Sequence, residues 1–143
     1  MPDILHSFPV NAPLNKVFDA VSTPDGLNQW WTLRSAGQPE LGAVYELFFA
    51  ENYDWRAKVV ESEPPRLLVL QVTDTRPDWQ DTIVSFMLTE SGEQTNVRFE
   101  HRGWPEENDH FRTSSFCWAM YLRIMKRYVE FGETVEYGTR LSA

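Results

Sequence analysis

Residues 95–131 read TNVRFEHRGWPEENDHFRTSSFCWAMYLRIMKRYVEF, and the two halves of this stretch keep different periods. From Val97 to Arg102 the side chains alternate: Val97, Phe99 and His101 share one side, and Arg98, Glu100 and Arg102 share the other. That is the period of a strand, and a row of charges on one side marks that side as solvated. His101 is thereby carried inward. From Asp109 to Phe131 there is no Gly or Pro, and the period lengthens. Phe111, Ser115, Trp118, Leu122, Met125 and Val129 fall within a stripe about 80° wide at 100° per residue, which predicts one long helix with that stripe facing a sheet. Asn108 or Asp109 can cap its start, and Gly132 stops it.

Toward the N-terminus the period of two persists. AVYELFFA, WRAKVVES, RLLVLQV and TIVSFMLTE read as further strands between Gly42 and TNVRFEHRG. Asn52-Tyr53-Asp54, Pro64-Pro65, Arg76-Pro77-Asp78 and Ser91-Gly92-Glu93 punctuate them, and such short connections favour antiparallel neighbours. In TIVSFMLTE the bulkier parity is Thr82, Val84, Phe86 and Leu88, which is assigned inward. Ahead of the sheet, DILHSFPV (3–10) reads as a first strand. Asn11 is then expected to cap a helix with Pro13 in its first turn and Val17, Phe18 and Val21 buried. Ser22-Thr23-Pro24-Asp25 breaks that helix and starts a second, ending near Trp30-Trp31. Strand, two short helices, a run of strands and a long helix make an α+β order, a single domain over 1–143 with no repeat or linker.

Composition excludes several function classes. At 143 residues, with 42% apolar and 24% charged residues, the chain can bury a core and is not disordered. Its net charge of −8, from 21 acidic and 13 basic residues with no basic stripe, repels nucleic acid and anionic membrane surfaces. No apolar run nears the roughly 20 residues of a membrane span, and nothing resembles a secretory signal. Cys117 is the single cysteine, so a cytoplasmic location is expected. Aromatic residues make up 14% of the chain, including six Trp and nine Phe, which bury large areas and can also line a cleft.

The inward His101 is the sharpest polar feature. Its imidazole can serve a ligand's carbonyl or phenol oxygen, or be satisfied inside the core by a hydroxyl such as Thr82 or Ser115. The hydroxyls of Ser114 and Ser115 point toward the same space, or bond locally within the helix. Trp30, Trp31, Trp79, Trp104 and Trp118 ring a cavity mouth or pack as core. His6, His101 and His110 are far apart in sequence with no metal-ligand spacing, so no metal is expected. A Cys117–His101 nucleophile pair is disfavoured, because Cys117 projects about 100° from Trp118. No catalytic residue and no cofactor are expected.

A second apolar row, Phe116, Met120, Ile124 and Phe131, lies on the outer side of the long helix. A helix apolar on both sides is covered on both sides. A homodimer interface is the expectation, with the C-terminal segment Val135 to Leu141 folding back over the row as the alternative.

Several motifs run through the chain in order: A-P-x3-V-F-x-A (Ala12 to Ala20), W-W-T (Trp30 to Thr32), L-G (Leu41-Gly42) and W-x2-T (Trp79, Thr82). F-x-H-x-G-W (Phe99 to Trp104), W-x3-L (Trp118, Leu122) and E-x-G (Glu130, Gly132) complete the set. Together they resemble the C-terminal-domain family of activators of the heat-shock-protein-90 ATPase, within the START-like or SRPBCC helix-grip superfamily. The resemblance implies a curved antiparallel sheet wrapped round the long helix, with a hydrophobic cavity between them. It also implies a small hydrophobic or aromatic ligand, for which Trp31, Trp79, Thr82, Val84, Phe86, Phe99, His101, Trp104, Phe111, Ser115, Trp118 and Leu122 are the candidate wall. A polyketide cyclase or aromatase activity and a protein-interaction domain are the alternatives. The chaperone activators carry an additional N-terminal domain for which this chain has no room, which argues against a chaperone partner. Where the family usually places Gly before the helix Trp, this chain has Cys117.

Overall fold

In the computed structural model, which describes residues 2–51, 53–74 and 78–142, the sequence periods become elements in the expected order. Strand β1 (Ile4–Val10) leads into helices α1 (Leu14–Ser22) and α2 (Pro24–Trp30). Strands β2 (Arg34–Ala36), β3 (Val44–Ala50), β4 (Tyr53–Glu63), β5 (Leu67–Asp74), β6 (Ile83–Ser91) and β7 (Gln94–Arg102) follow, then helix α3 (Asp109–Phe131) and a closing 3-10 helix (Tyr137–Ser142). The strands form one seven-stranded antiparallel sheet ordered β1-β7-β6-β5-β4-β3-β2. Consecutive strands are neighbours except β1, which crosses to pair with β7 in the register Ile4↔His101 through Val10↔Thr95.

The alternation in β6 and β7 decides which side faces the helix. Thr82, Val84, Phe86 and Leu88 are buried, as are Val97, Phe99 and His101, while Arg98 and Arg102 are exposed. Against this inner face lies α3, burying Ser114, Trp118, Leu122, Met125 and Val129. Ser115 and Phe111 are half-buried, so the helix is turned slightly from the expected stripe and puts Ser114 deeper than Ser115. Asn108 caps α3 through Phe111 N at 2.9 Å, and Gly132 closes it with φ of 70°, the left-handed conformation glycine adopts at low cost.

The two short helices clamp one end of the grip. Thr23 caps α2 by accepting from Gly26 N at 3.0 Å. Trp30 Nε1 donates to Ala20 O at 2.8 Å, and Tyr45 Oη donates to Ser22 O at 2.6 Å, fastening both helices to each other and to β3. Gly26 sits so close to α1 that a Cβ there would lie 2.5 Å from Asp19 O. Gly26→Ala is therefore expected to cost about 1–3 kcal/mol in a urea melt, since backbone rather than a flexible side chain must move.

Three local expectations need correction. Asn11 does not cap α1: the N-cap is Pro13, with no side-chain cap bond. Instead the Asn11 backbone N–H donates to Glu130 Oε2 at 2.6 Å, which ties the end of α3 to the β1–α1 turn. The edge strand β2 was not anticipated, because its three residues, Arg34, Ser35 and Ala36, show no buried side to read. Ile124 is not an exposed member of an outer row; it is 5% exposed within the single chain. Val135 and Tyr137 of the C-terminal segment pack against the core, and Val135 lines a groove with Ile124. Arg140 holds that segment down by donating to Val135 O, Thr32 O and Asn28 O at 3.1, 3.2 and 2.6 Å. The predicted turn residues Asn52, Arg76 and Pro77 lie outside the described residues.

Candidate functional site

Four buried residues from three regions of the chain meet through one chain of hydrogen bonds. Trp118 of α3 donates its Nε1–H to His101 Nδ1 at 3.1 Å. With Nδ1 accepting, the neutral ring carries its proton on Nε2, which lies 2.8 Å from Thr82 Oγ1. Thr82 Oγ1 in turn donates to Trp79 O at 2.6 Å. Every link has one donor and one acceptor, so the tautomer follows from the geometry. Burial pushes the His101 pKa down to about 3, so the ring is neutral at physiological pH. Of the two roles foreseen for His101, this geometry satisfies the internal one: both nitrogens are spent on the chain itself.

Around this network the aromatic rings close a circuit. Trp31 stands 5.0 Å from Trp118 and 5.5 Å from Phe49, ring centroid to centroid. Phe49 stands 4.8 Å from Trp55, and Trp55 is 4.2 Å from Trp79. Trp79 stacks on Trp118 at 6.1 Å, returning to the start. Five rings from β3, β4, α3 and the loops beside α2 and β6 thus enclose one another. His101 backs the circuit, edge-on to Trp79 at 4.6 Å and tilted against Trp104 at 5.1 Å. The buried indole Nε1 atoms of Trp79 and Trp104 have no hydrogen-bond partner among the described residues.

The candidate wall is therefore brought together. Val84, Phe86, Phe99 and Leu122 form its inner layer, with Phe99 4.4 Å from Trp118 and 5.4 Å from Phe86. Phe111 meets Trp104 edge-on at 5.3 Å at the rim, and half-buried Ser115 stays outside the His101 network. Phe49 and Trp55 were missed from sequence. The signal was present in the alternation of β3, where Tyr45, Leu47 and Phe49 are the buried set, and in Trp55 sharing parity with Ala57 and Val59. These side chains meet one another in the space between sheet and helix where an apolar cavity was expected. Grooves also open on the outside, among them one between β1 and α3 and another on the outer flank of α3.

The rim is fixed by a polar pair. His110 Nδ1 lies 2.9 Å from Asp78 Oδ2, joining the first turn of α3 to the segment that carries Trp79. That bond, with help from Asn108, holds the Asp78 carboxyl below its ordinary range. His110 also meets Trp104 edge-on at 5.2 Å. Burial pushes the Cys117 thiol up, the opposite of an activated nucleophile. Among the described residues no three His, Cys, Asp or Glu side chains converge as metal ligands.

The model of the family "Activator of Hsp90 ATPase homolog 1-like protein" matches residues 11–130. The chain belongs to that family. Among solved structures, the solution structure of the Aha1 dimer from Colwellia psychrerythraea is 30% identical, with a TM-score of 0.84, and covers 93% of this chain and 99% of its own. The protein SSP2350 from Staphylococcus saprophyticus has the same fold at 20% identity and a TM-score of 0.79, over 94% of this chain and 96% of its own. CalU16 from Micromonospora echinospora has it at 21% identity and 0.74, over 91% and 77%. No curated protein matches. Within this family the F-x-H-x-G-W, W-x2-T and W-x3-L motifs of the chain now have a physical reading. They supply His101, Thr82 and Trp118, the three side chains of the buried network. Glu130 of E-x-G accepts from Asn11 N and from Lys126 Nζ, the latter at 2.7 Å.

Proposed function

We propose that this protein binds a small aromatic or otherwise apolar molecule between the sheet and α3, with the ring circuit as the receiving surface. The observation that carries the reading is the closed circuit of Trp31, Phe49, Trp55, Trp79 and Trp118 backed by two unspent indole N–H groups. An inserted planar molecule exchanges ring–ring contacts, worth about 0.5–1.5 kcal/mol each, for ring–ligand contacts of the same kind. An oxygen on that molecule gives the Trp79 or Trp104 N–H the acceptor it lacks among the described residues. His101 sets the wall rather than touching the ligand. The cyclase or aromatase alternative has less support, since both nitrogens of His101 are engaged within the chain, which leaves neither to orient a substrate carbonyl. Titration with the neutral fluorophore N-phenyl-1-naphthylamine tests the reading. Saturable one-to-one binding with quenching of Trp emission is expected, and Trp79→Ala should weaken it at least about tenfold. Wild-type protein that shows no saturable binding would overturn the proposal.

We also propose that the protein is a cytoplasmic homodimer. Phe116, 77% exposed, lines a groove of about 490 Å³ on the outer side of α3 together with half-buried Met120, and Phe131 is 65% exposed near the end of the same helix. A second copy meeting this face through a two-fold axis would cover both rings, and the relative from Colwellia psychrerythraea was solved as a dimer. Light scattering should give twice the chain mass for the wild type and the chain mass for Phe116→Glu. A monomeric wild type contradicts the proposal. A chaperone partner rests on family membership alone.

A further inference from the structure

The groove between β1 and α3 is a concave feature that the aromatic site does not use, and its chemistry contrasts with the acidic balance of the chain. Its volume is about 330 Å³, at the lower end of small-molecule sites. Phe8, Ala119 and Leu122 form its apolar side, and His6, Arg123 and Lys126 its polar side. No Asp or Glu is among the residues that line it, on a chain whose net charge is −8.

The two cationic groups are donors with capacity to spare. Arg123 is exposed and makes no hydrogen bond or ion pair among the described residues. Lys126 Nζ donates to Pro9 O at 2.5 Å and to Glu130 Oε2 at 2.7 Å, which leaves the third ammonium hydrogen. Glu130, the acid paired with Lys126, also accepts from Asn11 N. The ring of His6 stacks on Phe99 at 6.2 Å, and its buried Nε2 has no partner among the described residues.

We infer that this groove is a second binding site, for a small amphiphilic carboxylate whose head meets Arg123 and Lys126 and whose apolar body lies on Phe8 and Leu122. The planar guanidinium fork matches a carboxylate in two bonds, and an ion with no apolar body would leave the Phe8–Leu122 side unused. The site is separate from the ring circuit and does not depend on it, but it borders the face proposed for the dimer, since Ala119 and Arg123 line both grooves.

Octanoate is the probe, with octan-1-ol as its uncharged counterpart, each titrated into the full chain and followed by backbone amide NMR. Octanoate should produce saturable shifts at Ala119, Leu122 and Arg123, with octan-1-ol at least about tenfold weaker. Arg123→Gln, an exposed change that leaves the fold intact, should cost octanoate about tenfold, the factor that corresponds to about 1.4 kcal/mol. Binding of N-phenyl-1-naphthylamine should be unchanged in that variant, which separates failure of this site from failure of the aromatic one. Equal affinity for octanoate and octan-1-ol, or octanoate binding indifferent to Arg123→Gln, would overturn the inference.

Discussion

Trp118→Ala is expected to lower the stability of the folded chain by about 3–5 kcal/mol, the range for removing a buried large aromatic. The side chain is 2% exposed and contacts Trp31, Trp79 and Phe99 at ring-centroid distances of 5.0, 6.1 and 4.4 Å. Its removal also takes the donor from His101 Nδ1, leaving a buried acceptor at a cost of about 1–3 kcal/mol within the same loss. Trp118→Phe separates the two effects, since it keeps most of the ring volume and discards the N–H. Guanidinium melts at pH 7 measure both. A loss under 1 kcal/mol for the alanine variant would mean that α3 docks through other residues.

Acid should act on the same network. The His101 pKa is near 3 in the folded chain and about 6.5 when unfolded. Above pH 6.5 both states are neutral at this site, and nothing is lost. Below it the unfolded chain takes up a proton that the folded chain refuses, so stability falls as pH drops from about 6.5 toward 3. The slope contributed by this one group reaches about 1.4 kcal/mol per pH unit. Carboxylates such as Asp78 and Glu100, held below their ordinary range, add to the loss at the lower end. Ring-nitrogen NMR isolates the histidine: the Nε2–H tautomer should persist at pH 5. A His101 signal with a midpoint near 6.5 would show that the ring is solvated and that the network is misread.

Much of this architecture was legible because burial imposes a period. The charges at Arg98, Glu100 and Arg102 could face water on one side only, so His101 had to point inward, and it does. The same logic placed Thr82 beside it. Where the pattern was silent, the reading failed. β2 has no buried side, and α1 starts without a side-chain cap, so neither left a signal in single residues. Ile124 shows a different limit. Its helical position says that it lies away from the sheet, yet it is buried, and the segment whose Val135 lines a groove with it is held by Arg140 through backbone carbonyls of Asn28, Thr32 and Val135, a contact invisible to periodicity. The ring circuit was half legible. Trp31, Trp79 and Trp118 could be named as wall residues, but mutual contact is a property of the folded sheet's curvature, which brings Phe49 and Trp55 of neighbouring strands to them.

Native mass spectrometry of the protein purified from its own host tests the aromatic site most directly. The account predicts assemblies heavier than their protein mass by one small apolar molecule per chain, released on denaturation and depleted when Trp79→Ala is purified in the same way. Wild-type protein at its bare protein mass, or a bound molecule retained undiminished by Trp79→Ala, would contradict it.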